Sequence, residues 1–249
     1  PLLLSSAASD VYKRQGYNGV VYVHSTGLNQ KNEAVIDYKR WVMVRKKNKS
    51  LPKIETVIPK LNSEVTKEEV IAISKDYQFE MKNYDFTAAG SDLVFEDYKI
   101  DEKINHIDGI TVEEAEHMMA TKLYQNNAKV HFNHFVEKGG RFGKRIVYGG
   151  HVISLTRSIS FNGLSNAFKI IAINGGTHAS PCFAGKTVFA WSKIIEKVDV
   201  SDTLGALRIR TNGLGDAQPY QFQHQDQNGK FNSDVLLSLD YWALVPKKI

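Results

Sequence analysis

The 249-residue sequence predicts an α+β fold in which an antiparallel sheet wraps one long buried helix. Three observations carry that expectation. Four runs rich in β-branched and aromatic residues close the chain: AFKIIAI, KTVFAWSKIIEKV, LGALRIRT and VLLSLDYWALV. Upstream of them, HVISLTRSISF repeats apolar residues at helical spacing directly after the pair Gly149-Gly150. The composition, 42% hydrophobic and 24% charged with 18 Gly and 6 Pro, is that of a globular chain rather than a disordered or collagen-like one.

Residues 1–15, PLLLSSAASDVYKRQ, resemble a translated sequencing adapter and are expected to be a non-native segment, the protein proper beginning near Gly16. Alternating β-branched residues on either side of the polar turn Asn29 to Asn32 then predict a hairpin over 16–47. Its second strand repeats the end of the chain. With Trp41 laid on Trp242, Val35 falls on Leu236, Ile36 on Leu237, Val44 on Val245, and Lys46 and Lys47 on Lys247 and Lys248. The expectation is a duplicated unit whose first copy is truncated to its last hairpin. Residues 48–90, lysine-rich and polar with Pro52 and Pro59, read as a linker; within it Thr66 and Glu69 form a capping box that opens a helix over 67–77.

The second unit spans 91–249. A short strand ends near Gly109, and Thr111 with Glu114 reads as a capping box for a helix that buries Val112, Ala115, Met118, Met119 and Leu123. The loop NNAKVHFNH follows. The apolar helix is expected to start after Gly149-Gly150 and to end near Asn162-Gly163, and NGGT at 174–177 to make a tight turn between strands.

Several chemistries drop out. The lone cysteine, Cys182, excludes an intrachain disulfide and fits a reducing cytoplasm. A net charge of +5 suits an anionic small molecule and falls short of a nucleic-acid signature, while no apolar run of about 18 residues offers a membrane span. Eight His residues form no His-Glu-x-x-His pair and no His/Cys cluster, so no metal is expected. There is no G-x-S-x-G elbow, Walker A loop or G-x-G-x-x-G after a strand. What remains is the loop bearing Asn126, His131, Asn133 and His134, just before the glycine pair. A helix N-terminus offers unpaired N–H groups and about half a positive charge, enough to hold a carbonyl oxygen as it becomes an enolate, and an imidazole beside it moves protons. A hydrogen-bonded structural histidine is the competing reading.

In order and spacing, N-N-A-K-V-H (126–131), F-G-K-R-I-V-Y-G (142–149) and P-C-F-A-G-K-T (181–187) resemble the D-x-N-P-x-H, F-G-x-x-I-x-H-G and P-x-x-x-G-D-T signatures of MaoC-like hydratases and dehydratases of the hotdog fold. The resemblance covers nearly everything from Gly16 onward and is closest to a double-hotdog branch acting on branched C5 dicarboxylic CoA thioesters. It implies a cytoplasmic hydro-lyase with no cofactor, CoA being part of the substrate, and a homo-oligomer whose partner is an acyl-CoA rather than nucleic acid or membrane. His131 falls on the signature His as general acid/base, Asn126 on the signature Asp, and Gly149 or Gly150 supplies the oxyanion donor. Arg141 and Arg145, with Asn133 and Tyr148, make the expected substrate-binding set. Asn126, Ala128 and Lys186 depart from the signatures, and a neutral amide at 126 takes up no proton. A hotdog thioesterase, with Glu137 as the nearby carboxylate, and a non-catalytic acyl-CoA-binding protein are the rival readings.

Overall fold

The computed structural model describes residues 18–48, 50, 55, 57–77, 79–221 and 224–248; the segment 1–15 lies outside them. The chain divides into two compact units, residues 1–62 and 63–249.

In the first unit, β1 (Asn18–Leu28) pairs antiparallel with β2 (Ala34–Arg45), Tyr22 facing Trp41. Asn29 builds the turn: its Oδ1 accepts the N–H groups of Lys31 and Glu33 at 2.9 and 3.0 Å, and Asn32 takes the left-handed conformation at φ 62°. This is the hairpin expected over 16–47. Val35, Ile36, Trp41, Met43 and Val44 are all exposed.

In the second unit α1 (Lys67–Ser74), α2 (Phe86–Ala89), β3 (Lys103–Asn105), β4 (Ile110–Thr111) and α3 (Glu114–Leu123) come first. They are followed by α4 (Lys129–Phe132), α5 (His134–Glu137), α6 (Gly149–Ile159), α7 (Phe161–Leu164), β5 (Lys169–His178), β6 (Thr187–Asp199), β7 (Leu204–Gly215) and β8 (Val235–Pro246). The sheet order is β3-β6-β7-β8-β5, with β4 also on β6, and every pairing is antiparallel. Helix α6 lies across β6, β7 and β8, burying Val152, Leu155 and Ile159 against Ile194, Ile209 and Tyr241. Gly213 permits that approach, since a Cβ there would come within 2.5 Å of Thr156 Oγ1. The apolar stripe at i, i+3, i+7 is therefore the core face, as its period requires.

Beneath the helix runs a buried polar chain. His106 Nδ1 donates to Asn162 O at 2.6 Å, its Nε2 accepts from Ser192 Oγ at 2.8 Å, and Ser192 passes the chain to Thr211 Oγ1 (2.8 Å), which reaches Tyr241 OH (3.2 Å). Burial holds His106 down to about 4, so the ring is neutral and each nitrogen has its partner.

The outer sheet face carries the stretch read as a linker. From Ser63 onward that stretch belongs to the second unit: Val70 of α1 is buried with Leu204, Ala206, Trp242 and Leu244, and the Trp242 indole N–H donates to Val65 O at 3.1 Å. Arg208 on β7 bonds Asp240 (2.9 Å), Glu196 (2.5 Å) and Glu64 (2.6 Å), tying the segment down. Its few apolar residues, scattered among lysines and prolines, find the sheet. The capping box is as read, with Thr66 N–H donating to Glu69 and Glu69 N–H to Thr66 Oγ1, although the helix stops at Ser74.

Three other expectations are corrected. Helix α3 starts at Glu114, and its buried side is His117 and Thr121, while Met119 and Leu123 are exposed. Thr121 Oγ1 returns to His117 O (2.7 Å) and His117 Nε2 bonds Glu114 (3.0 Å), so the inner face holds polar groups partnered within the helix, with His117 Nδ1 buried and unpartnered among the described residues. Helix α6 ends at Ile159, before the break at Asn162-Gly163, where Gly163 sits at φ 101°. NGGT is strand and not a turn: Gly175 and Gly176 pair with Asp240 and Leu239, and one register shift falls just before them, between Ile173 and Gly175.

Candidate functional site

The loop between α3 and α6 is pinned from both ends. Asn126 N–H donates to Thr121 O at 3.0 Å, and its Oδ1 accepts the Ala128 N–H at 2.9 Å, an Asx turn that ends α3 and launches α4. Asn133 caps α5, accepting the Val136 N–H at 3.1 Å. Of the side chain expected to bind substrate, the amide oxygen is thus taken by the helix cap.

His131 sits on α4, half-buried. Its Nδ1 bonds Ile146 O at 2.9 Å while Ile146 N–H donates to Val130 O at 3.0 Å. A carbonyl only accepts, so Nδ1 carries the hydrogen and Nε2 is left with its lone pair when the ring is neutral. The ring stands edge-on to Tyr148, centroids 5.8 Å apart, and Tyr148 in turn meets Tyr124 at 6.4 Å. Tyr148 is thus a wall of the imidazole's pocket.

Tyr148 is also the residue from which α6 springs. His151 N–H and Val152 N–H both return to Tyr148 O, at 2.9 and 3.2 Å, and no side chain caps the helix. Among the described residues no acceptor takes the Gly149 or Gly150 N–H, so the donors expected at a helix start are left unpaired there. The missing side chains matter. A Cβ on Gly150 would stand 2.6 Å from Tyr148 Cζ, and one on Gly149 would stand 2.7 Å from His178 Nε2.

His178 is the residue the sequence reading missed. Reading NGGT as a turn cut β5 short; in the structure β5 runs on to His178 and delivers its imidazole to the start of α6. The residue is exposed to solvent, yet neighbouring atoms crowd the ring, and that crowding, with the nearby His131, holds it below the usual histidine range. A strand carried through the glycine pair was the signal that would have found it.

The two arginines part company. Arg145, mostly buried, is ion-paired with Glu114, which also accepts from His117 Nε2 at 3.0 Å. The guanidinium expected to clamp a substrate carboxylate is thus held by a carboxylate of this chain. Arg141 is exposed, its guanidinium 4.9 Å above the Phe142 ring. Lys186, at the later signature position, is paired with Asp216 at 2.8 Å. Burial pushes the Cys182 thiol up to about 11, which removes it as a nucleophile at neutral pH. Among the described residues no three His, Cys, Asp or Glu side chains are grouped to hold a metal ion, and no helix is long and apolar enough to cross a membrane.

The chain is 50% identical over 237 residues to the beta-methylmalyl-CoA dehydratase of Chloroflexus aurantiacus, covering 94% of this chain and 66% of that protein. Over 234 residues it is 48% identical to the mesaconyl-CoA hydratase of Cereibacter sphaeroides, covering 93% and 66%. It therefore spans just under two thirds of the length of these relatives. A solved MaoC domain protein from C. aurantiacus J-10-fl matches with a TM-score of 0.87 at 50% identity, over 94% of this chain and 66% of that one. A Mycobacterium tuberculosis protein with a double hotdog fold matches with a TM-score of 0.57 at 18% identity, over 91% and 62%, a likeness of fold alone. No family model matches the chain.

Proposed function

We propose that the chain is a MaoC-like hydratase or dehydratase of the hotdog fold, like the relatives it matches, and that it adds water reversibly to a 2-enoyl-CoA thioester, mesaconyl-CoA (2-methylfumaryl-CoA), giving β-methylmalyl-CoA. One observation carries the reading: His131 is held through Nδ1, with no partner on Nε2 among the described residues, and its ring packs on Tyr148, which leads into a glycine helix start whose N–H groups have no acceptor among the described residues. The chemistry requires that pairing. Moving a proton at the carbon next to a thioester develops charge on the carbonyl oxygen, and the Gly149 and Gly150 N–H groups with the helix field stabilise it. His131 Nε2 transfers a proton, and Tyr148 packs against its ring. Asn126, with its oxygen in a turn, orients the loop and offers its NH2 to substrate or water.

Arg141 is the cation for the distal carboxylate of a C5 dicarboxylic acyl group. The substrate brings CoA as its handle, and no cofactor enters the reaction. The protein works as a homo-oligomer in the cytoplasm, and the β1–β2 hairpin corresponds to the last pair of strands of a first hotdog unit. The test follows enoyl-thioester absorbance with mesaconyl-CoA and crotonyl-CoA side by side while free thiol is titrated. Loss of absorbance without thiol release, faster on mesaconyl-CoA, is the expected result. Thiol release would make the protein a thioesterase, and no change in either would leave acyl-CoA binding without catalysis.

A further inference from the structure

We propose that His178 is the second acid/base group of this site, acting with His131 across the Gly149 helix start in place of the carboxylate that Asn126 does not provide. The inference rests on the hydration reading above. Hydration needs two proton transfers, one at each carbon of the double bond, and Asn126 performs neither: it is an amide, and its oxygen accepts the Ala128 N–H. His178 comes from another element. After register shifts at Ile170/Ala172 and Ile173/Gly175, β5 runs in unbroken register through Gly175 and Gly176 to its last residue, whose ring lies against Gly149, where a Cβ would fall 2.7 Å from Nε2. No hydrogen bond among the described residues occupies the imidazole, whereas the fully buried His106 has both nitrogens engaged. Crowding around the ring, and then charge on the nearby His131, favour the neutral form of His178.

That state suits dehydration. His178 Nε2 takes the proton from Cα, and the electron pair moves onto the thioester oxygen at the Gly149 and Gly150 N–H groups. The pair returns to form the Cα=Cβ bond as the Cβ–O bond breaks, and the departing hydroxyl takes the proton from His131 Nε2 and leaves as water. His178 is then protonated and His131 neutral, the state that runs hydration; one proton passed between the rings through water restores the start.

The test uses His178→Gln, which keeps a polar side chain and cannot titrate, measured on the whole chain with mesaconyl-CoA. A fall in kcat of at least about a hundredfold and loss of the acidic limb of the kcat/KM profile are expected, with the thermal midpoint unchanged. In parallel, histidine C–H resonances followed through a pH titration should show His178 moving to higher pH in His131→Gln. A third arm uses the contact itself: Gly149→Ala should be more harmful when His178 is present than in the His178→Ala background. Retention of kcat within about threefold and of both pH limbs in His178→Gln would overturn the proposal while leaving the hydration reading intact. An unmoved His178 titration in His131→Gln would overturn the pairing whatever the activity. If the wild-type chain hydrates neither thioester, the hydration reading fails and the acid/base assignment with it.

Discussion

His106 and His131 anchor Nδ1 in the same manner, on the carbonyl of Asn162 at 2.6 Å and of Ile146 at 2.9 Å. They differ at Nε2. In His106 that nitrogen accepts the Ser192 hydroxyl inside the core, and burial holds the ring neutral; in His131 it has no partner among the described residues, and the ring is half-buried beside the open start of α6. One anchor fixes the tautomer in both cases. The fate of the second nitrogen decides whether a histidine completes a core or is free to move a proton. The same division separates the arginines, Arg145 against Glu114 and Arg141 in solvent.

The largest effect expected from this contrast is on stability. His106→Ala empties a fully buried ring site and leaves Ser192 and Asn162 short of a partner, which should cost about 3–5 kcal/mol in denaturant unfolding. A loss under about 1 kcal/mol would break the comparison at its buried end.

Acid should expose the same residue without mutation. The folded value of about 4 lies below the ordinary 6.5, so on acidification the unfolded chain binds the proton first. The contribution of neutral His106 is complete above pH 6.5 and is lost as pH falls toward 4, about 3 kcal/mol in all. Urea midpoints recorded across that window should fall in the wild type and fall less steeply in His106→Gln.

At the open end, His131→Ala should lower kcat at least about a hundredfold, or about 2.7 kcal/mol of barrier, while the unfolding midpoint stays near that of the wild type. Near-normal turnover would remove His131 from the chemistry and make the two histidines equivalent. The smallest effect concerns the arginines. Arg141→Ala should reduce kcat/KM for mesaconyl-CoA by roughly tenfold, about 1.4 kcal/mol, and leave crotonyl-CoA unaffected. Arg145→Ala should instead lower stability by freeing Glu114 and affect both substrates alike.

Much of the fold was legible. The four closing strands, the α6 stripe, the first hairpin with its Asn29 turn and the Thr66 capping box all follow from local patterns, and each is present. Local patterns failed where two elements competed for one surface. The methionines of α3 carry the helical period that predicts burial, yet His117 and Thr121 take the inner face, where Thr121 Oγ1 bonds His117 O and His117 Nε2 bonds Glu114. The stretch 63–77 reads as a linker by composition and packs because the outer sheet face offers Trp242 and Arg208 to hold it.

Residue periodicity and turn chemistry act over a few neighbours, and they determined by themselves the order of elements, the start of α6 at its glycine pair and the loop that bears His131. Burial and company are settled by residues distant in sequence. Trp41 and Trp242 occupy matching places in matching strand patterns, yet Trp41 is 41% exposed and Trp242 1%. Likewise nothing near position 178 announces that its imidazole rests on Gly149, since the strand carrying it and the helix receiving it meet only when the sheet closes on α6. Packing alone brings His131, His178 and the helix start together, because proton transfer needs groups within a few ångströms in space and is indifferent to their separation along the chain.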